Sequence, residues 1–203
     1  MQIHLHIGDL PDGLHLGDTV AIDTETMGLN PIRDRLCLVQ LSAGDGHCHL
    51  VQIAPDQDQA PNLAAILTDA RVLKILHFAR FDLAAVRRYL GVLIEPVYCT
   101  KIASKLARTY TDRHGLKDLC KDLLNTDISK QQQTSDWGSP ELKPEQLAYA
   151  AQDVLYLHAL RERLDDMLMR EGRRDIADAC FRFLPQRAEL DLLGFAEPDV
   201  FAH

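Results

Sequence analysis

The chain has 203 residues, of which 46% are apolar and 26% are charged, and its formal net charge is −8. This composition excludes a disordered or fibrous protein, and the negative charge argues against sequence-independent coating of long nucleic acid, which depends on clustered Lys and Arg. The five cysteines are scattered, with no Cys-x-x-Cys pair, so reduced thiols are expected rather than a disulfide framework or a zinc site. Because no apolar run reaches membrane length and no signal pattern opens the chain, we expect a soluble, cytoplasmic protein.

The first quarter of the chain predicts short strands separated by turns. Residues 1–19 contain several glycines among short apolar pieces, which suggests an edge strand followed by turns. Three further strands are predicted at residues 20–27, 36–42 and 49–53. Charged and glycine-rich turns separate these three strands, so they are expected to form an antiparallel meander.

From residue 61 the pattern alternates helices with strands and then becomes helical. The predicted elements are a helix at 61–67, a strand at 72–78, a helix at 82–90, a strand at 97–99 and helices at 101–106, 116–124, 144–168 and 176–183. This order predicts an α/β fold, with a mixed five-stranded sheet flanked by helices and a helical C-terminal half.

Two acidic residues lie at the end of the strand predicted at residues 20–27. Asp23 and Glu25 alternate with β-branched Thr24 and Thr26, so both carboxylates project to one face, roughly 7 Å apart along the strand. Like charges placed this way repel each other unless a cation lies between them, and Mg²⁺ prefers such oxygen ligands. Because acids are common in this chain, chance placement at the surface remains the alternative interpretation.

Asp82 lies where a predicted strand ends and a predicted helix begins. An Asp at this position can cap the helix N-terminus, so capping and metal binding both remain open for this residue. Tyr149 and Asp153 are four residues apart on a predicted helix and therefore share one face. That face also carries apolar residues, so a buried Asp153 carboxylate requires a partner.

Together these residues resemble the DEDDy family of 3′→5′ exonucleases, both in their identity and in their order. The resemblance is carried first by Asp23-x-Glu25, Asp82 and Tyr149-x-x-x-Asp153. Further matching stretches are Leu38-Val39-Gln40-Leu41, His77-Phe78-Ala79-Arg80-Phe81-Asp82, Gly115-Leu116-Lys117-Asp118-Leu119, Asp127-Ile128-Ser129-Lys130 and Ser135-Asp136-Trp137. Within the family the chain is specifically like ribonuclease D and looks closest to the nano-RNase C group, whose members act on very short RNA and assemble into rings.

The resemblance implies an RNase H-like fold and one exonuclease domain covering residues 1–203. Its motif-bearing core is expected at about 20–164, and the C-terminal helices and tail at 165–203 are expected to pack on that core or on a neighbouring subunit. Ribonuclease D proper carries additional C-terminal helical domains, for which this chain has no room. A short, stand-alone homo-oligomer, ring-like by resemblance, is therefore implied.

The resemblance also implies catalysis with two divalent ions, Mg²⁺ or Mn²⁺. By analogy, Asp23 bridges both ions, Glu25 and Asp153 complete the first site, and Asp82 acts on the second. Tyr149 is expected to orient the attacking water. A free phenol titrates near pH 10, so at neutral pH this residue serves better as a positioner than as an independent base.

Substrate contacts are expected from side chains near these motifs. By resemblance, Thr26, Met27 and Gly28 line the terminal nucleotide. Trp137, the only tryptophan, is interpreted either as a local core plug or as a stacking platform for a base.

Four further candidates come from the stretch that ends at Asp82 and from the stretch at 127–130. His77 and Phe81 flank the approach to Asp82, and filling of the core is the favoured interpretation for Phe81. Arg80 and Lys130 are candidate phosphate contacts, with a solvated surface position as the default.

The resemblance implies metal-dependent 3′→5′ hydrolysis of very short single-stranded RNA, including dinucleotides, with release of nucleoside 5′-monophosphates. Two alternatives remain open. One is an exonuclease that acts on DNA or on both nucleic acids, because nothing in the motifs unambiguously recognises the 2′-hydroxyl. The other is a catalytically silent module that binds nucleic acid or protein, although such a module would be free to lose any of the five motif residues.

Overall fold

A computed structural model describes residues 2–129, 131–132 and 134–202, and in this part of the chain six strands form one mixed sheet. The strands are β1 (Gln2–Ile7), β2 (Thr19–Thr26), β3 (Leu36–Ser42), β4 (His47–Gln52), β5 (Leu73–Leu76) and β6 (Val97–Cys99), in the spatial order β1-β4-β3-β2-β5-β6. The expected meander is present, because β3 pairs antiparallel with both β2 and β4. The pairs β1–β4, β2–β5 and β5–β6 are parallel.

The sheet therefore has six strands, not the five predicted. The additional strand is β1, the expected edge strand, which pairs along β4 from Gln2 opposite His47 to Ile7 opposite Gln52. The strand it pairs with, β4, lies 45 residues further along the chain. Short turns join only the antiparallel pairs of the meander, so no local sequence signal marks this parallel pair. Every residue of β1 is exposed or half-buried, and apolar Leu5 and Ile7 are among the exposed ones, which is typical of an edge strand and gives a weak sequence signal.

Seven helices lie in the described part of the chain. They are α1 (Pro61–Thr68), α2 (Ala79–Leu90), α3 (Thr100–Ala107), α4 (Leu116–Leu124), α5 (Pro144–Leu155), α6 (Leu157–Arg170) and α7 (Arg174–Leu192). The single helix predicted at 144–168 is two helices that meet at Tyr156. The last predicted helix is longer than expected, because α7 continues through Pro185.

The layers bring three segments to one end of the sheet. All seven residues of β3 are buried, and α5 packs across β2, β3 and β4. Helix α2 begins three residues after β5, a strand parallel to β2, so the first turn of α2 lies near the end of β2. Helix α7 packs against α2 and β6. The C-terminal end of β2, the first turn of α2 and the middle of α5 therefore lie in one region.

Histidines form two pairs across the outer strands. His4 Nε2 lies 3.0 Å from His47 Nδ1, and His6 Nε2 lies 3.0 Å from His49 Nδ1. The His4 and His49 rings stack with centroids 4.9 Å apart. These imidazoles therefore tie β1 to β4 in addition to the backbone ladder.

The described cysteines are free thiols, four of them buried and Cys180 half-buried. Among the residues placed by the structure, no helix combines the length and the apolar character that crossing a bilayer would require.

Candidate active site

Three carboxylates from two elements converge in the structure. Asp23 and Glu25 project from β2, and Asp153 projects from α5, which crosses above it. One carboxylate oxygen from each residue lies within 4.8 Å of the other two. A register shift between β2 and β3 follows Glu25, and bulges of this kind re-aim side chains next to functional sites. The predicted strand and the predicted helix therefore supply their acids to one point.

The electrostatics of this cluster favour a bound cation. Burial, followed by the charges of Asp82, Asp153 and Glu25, raises the pKa of Asp23 well above its usual range. Burial and the charges of Asp153 and Asp82 raise the pKa of Glu25 to about 9. Each raised pKa reflects the free-energy cost of ionising one carboxyl beside the others in a poorly hydrated place. A hard divalent cation would remove this cost, and a set of carboxylate oxygens fits Mg²⁺ or Mn²⁺.

Asp82 lies beside this cluster but does not cap helix α2. The helix begins at Ala79 with Phe78 as its N-cap residue, and Asp82 lies in the first turn with only 3% of its surface exposed. The hydroxyl of Thr24 donates a 2.6 Å hydrogen bond to Asp82 Oδ1. Burial raises the pKa of Asp82 to about 7, and the hydrogen bond from Thr24 opposes that rise. The capping interpretation is therefore wrong.

Thr24 is a site residue that the sequence did not single out. Its position between two acids suggested only strand propensity, yet its side chain links β2 to α2. The available signal in the sequence was a hydroxyl residue between two acids at the end of a strand. That signal did not identify Asp82 as the partner, because the contact depends on the pairing of β2 with β5.

Tyr149 lies one turn before Asp153 on the same face of α5. Burial and the negative charges of Asp153, Glu25 and Asp23 raise the pKa of the phenol above its usual value. The side chain is therefore a neutral donor at physiological pH, which suits the positioning of a water better than proton abstraction.

Trp137 packs behind Tyr149, with ring centroids 6.1 Å apart, and is 2% exposed. Of its two predicted roles, the structure places it as a core plug rather than as an open stacking platform. Its loop is fastened to α5, because the Gln146 amide accepts from the Lys143 backbone N–H and donates to the Asp136 carbonyl at 3.1 Å.

The residues after Glu25 form a tight turn beside this loop. Thr26 donates its hydroxyl hydrogen bond to the Gly28 carbonyl. A Cβ at Gly28 would overlap the carboxylate of Asp34, and one at Gly138 would overlap the sulfur of Met27. Met27 is 52% exposed, so its side chain lies on the loop backbone and also faces solvent.

The candidates near Asp82 have different surroundings. His77 Nδ1 lies 2.9 Å from Thr100 Oγ1, and Phe81 is half-buried. The guanidinium of Arg80 forms two hydrogen bonds with Asp191 of α7, at 2.5 and 2.6 Å. Arg80 thus ties α2 to α7. Lys130 lies outside the described residues.

An exposed aromatic residue next to His77 was also not predicted. Phe78 has a left-handed backbone with φ of 65° and is 47% exposed, a conformation that costs free energy in a bulky residue. Lys101 Nζ lies 4.1 Å from its ring centroid, a cation–π contact. Phe78 and Lys101 line a cavity of about 310 Å³, together with Lys105 and Arg187. The sequence prediction had placed Phe78 inside a strand.

Comparisons with known proteins agree with this geometry. A model of the 3′-5′ exonuclease family matches residues 11–169. The chain is similar to ribonuclease D of Gluconacetobacter diazotrophicus, with 36% identity over 156 residues, which cover 77% of this chain and 39% of that protein. It thus spans less than half the length of the curated ribonuclease D proteins that it matches first.

Two solved structures resemble the chain over its whole length. The structure of Brucella melitensis NrnC with bound Mg²⁺ has 55% identity and a TM-score of 0.96, and the match covers 100% of both chains. The structure of B. melitensis NrnC bound to pGG has 56% identity and the same TM-score of 0.96, covering 100% of this chain and 99% of the other.

Proposed function

This chain belongs to the 3′-5′ exonuclease family, and from that membership we propose that it is a metal-dependent 3′→5′ exoribonuclease. Its substrates are very short single-stranded RNAs, including dinucleotides, and its products are nucleoside 5′-monophosphates. The relatives named ribonuclease D support the choice of RNA. The pGG bound to B. melitensis NrnC supports a very short substrate.

The observation that carries the proposal is the convergence of Asp23, Glu25 and Asp153, with one oxygen of each within 4.8 Å of the others. Carboxylates held this close together in a poorly hydrated place are costly to ionise. Three such acids are better explained by an ion that they bind than by stability of the fold. A silent binding module would not need them, so the geometry favours an enzyme.

We assign two divalent ions, Mg²⁺ or Mn²⁺, to this site. Such ions supply an activated water and stabilise charge on the departing oxygen. Asp23, Glu25 and Asp153 would hold the first ion, and Asp23 and Asp82 would hold the second. Tyr149 remains protonated and orients the water through its hydroxyl, one helical turn from Asp153.

The remaining residues bind the substrate in this proposal. Thr26, Met27 and Gly28 form the wall of the terminal nucleotide, and the exposed side chain of Met27 contacts its base. His77 and Phe81 line the approach to Asp82. Two further expected contacts serve indirectly, since Trp137 supports Tyr149 from behind and Arg80 holds the first turn of α2 through Asp191.

A comparison of three substrates tests the activity directly. A labelled RNA dinucleotide, a longer single-stranded RNA and a DNA of the same sequence are incubated with Mg²⁺, Mn²⁺ or EDTA. We expect stepwise loss from the 3′ end with either ion, none with EDTA, and fastest turnover of the dinucleotide. Equal turnover of DNA would favour a nuclease that ignores the sugar, and no turnover of any substrate would favour the silent binding module.

A matched pair of variants tests the site. Asp153→Asn removes one charge from the cluster and should abolish turnover without unfolding the protein. Asp166→Asn removes the same charge from an exposed position on α6 and should leave turnover unchanged. Retained activity in Asp153→Asn would remove this residue from the site.

We also propose that residues 1–203 act as one exonuclease domain that forms a homo-oligomer. The support is apolar surface at the end of α7 and in the tail after it, where Leu193 is 71% exposed and Phe201 66% exposed. Sedimentation at micromolar concentration tests this proposal. A single species of 22.8 kDa would refute it.

A further inference from the structure

Gln40 is a fully buried polar residue without a visible structural purpose. It lies in the middle of β3 with 0% of its surface exposed. Neither its amide nitrogen nor its amide oxygen has a hydrogen-bond partner among the residues that the structure describes. A primary amide can donate two hydrogen bonds and accept two, and burying it without partners costs free energy. Such a group requires an explanation.

The register of the sheet indicates where this amide can find a partner. Gln40 lies directly opposite two residues, Leu50 on β4 and Asp23 on β2. Leu50 is apolar, so Asp23 is the polar neighbour across the strands. Side chains directly opposite in an antiparallel pair share one face, with Cβ atoms about 4.5–5.5 Å apart. The amide of a glutamine can therefore reach the carboxylate of Asp23 by rotation about its own side-chain bonds.

We propose that Gln40 is a positioning residue for Asp23. Its Nε2–H group donates a hydrogen bond to the Asp23 carboxylate and fixes the orientation in which that carboxylate binds divalent ions. Carboxylates that bind metal are commonly held by such outer partners, whose loss typically weakens metal affinity or activity about 10- to 100-fold. The inference rests on the proposed function, because it takes Asp23 as a ligand of the catalytic ions.

The test compares Gln40→Met with Leu38→Met. Methionine keeps the length and approximate volume of glutamine but donates no hydrogen bond. Leu38 is equally buried on the same strand and lies opposite Glu25, the other acid of β2. Direct Mn²⁺ binding is measured by calorimetry, and thermal unfolding is measured in EDTA.

We expect Gln40→Met to bind Mn²⁺ about 10- to 100-fold more weakly than the unmodified protein and to unfold in EDTA at a similar temperature, which would show that the exchange leaves the fold intact. Leu38→Met should bind Mn²⁺ within about twofold of the unmodified protein, because volume-conserving apolar exchanges are well tolerated. With a dinucleotide substrate, Gln40→Met should lower kcat and leave KM nearly unchanged.

Mn²⁺ affinity of Gln40→Met within about twofold of the unmodified protein would overturn the inference while leaving the proposed function intact. If Gln40→Met weakens Mn²⁺ binding as expected but the unmodified protein degrades no oligonucleotide, the function fails and the inference stands. No Mn²⁺ binding by the unmodified protein would overturn both. If Gln40→Met does not fold, Gln40→Leu replaces it, and failure of both to fold would show that the amide is structural and also overturn the inference.

Discussion

Replacing Thr24 with Val should destabilise the ion-free protein more at high pH than at low pH. The exchange keeps the branched shape of a residue that is 6% exposed and removes the hydroxyl that donates to Asp82. The buried Asp82 carboxyl, with a pKa of about 7, is mostly protonated at pH 5 and mostly ionised at pH 8. The contribution of the Thr24–Asp82 hydrogen bond to the free energy of unfolding therefore depends on pH.

The magnitude follows from the charge of the acceptor. A hydrogen bond to a charged group contributes about 1.5–3 kcal/mol, against about 0.5–1.5 kcal/mol for a neutral pair. The variant should therefore lose about 1 kcal/mol more stability at pH 8 than at pH 5. Because one pKa unit corresponds to 1.36 kcal/mol, the same difference means that the pKa of Asp82 rises by somewhat less than one unit.

This sign agrees with proton linkage. The folded-state pKa of Asp82 lies above its unfolded value, so the folded protein holds the proton more tightly and loses stability as pH rises through about 7. Removal of the Thr24 hydroxyl raises the folded-state pKa further and extends that loss to higher pH.

Urea denaturation in EDTA at the two pH values measures the effect. Thr26→Val is the matched control on the same strand, since the Thr26 hydroxyl donates to the neutral Gly28 carbonyl and its loss should cost the same at both pH values. An equal cost for Thr24→Val at pH 5 and pH 8, or a larger cost at pH 5, would refute the assigned role of the hydrogen bond.

Other predictions concern the ions, the core and the turn. Mn²⁺ affinity should fall as pH is lowered from 9 to 6, because Glu25 with a pKa of about 9 and Asp82 with a pKa of about 7 must release protons before they bind the ion. Calorimetry in buffers of different ionisation enthalpy measures this proton release. An affinity that does not change with pH would contradict the prediction. Trp137→Ala should cost about 3–5 kcal/mol in urea denaturation, because the ring is 2% exposed; near-normal stability would show that the ring is not a core plug. Gly28→Ala should cost about 1–3 kcal/mol, because its Cβ would displace the Asp34 carboxylate, and an unchanged unfolding midpoint would count against that contact.

Helices and strands that are bounded by clear turn signals, such as Gly, Pro or charged residues, were predictable from the sequence. The strands at 36–42 and 97–99 and the helix at 116–124 have the predicted limits. The errors arose where the structure depends on distant contacts or on a special backbone. The pairing of β1 depends on a strand 45 residues away. The start of α2 depends on the left-handed conformation of Phe78, which its sequence neighbourhood does not signal.

The candidate site shows the same division. The 2.0 and 3.6 residue periods placed Asp23 with Glu25 on one face of a strand and Tyr149 with Asp153 on one face of a helix. The resemblance to the DEDDy family then joined these two sets with Asp82 in one predicted site. The partners of those acids were not predictable. Thr24 reaches Asp82 and Gln40 faces Asp23 only through strand register and the placement of α2, and sequence periodicity contains neither.

The His6–His49 pair makes the rim of the sheet sensitive to acid. In this pair one ring nitrogen donates to the other, so the pair accommodates one shared proton but not two full charges. Burial lowers the pKa of His6 and His49 below the usual value, as do the charges of neighbouring histidines. A released strand would take up protons more readily than the paired one, so the stabilisation is present above about pH 6.5 and disappears on acidification. Below that pH, amide hydrogens of residues 2–7 should exchange with solvent well before those of β3. Mild acid would therefore release β1 from the sheet while the carboxylate cluster keeps its structure.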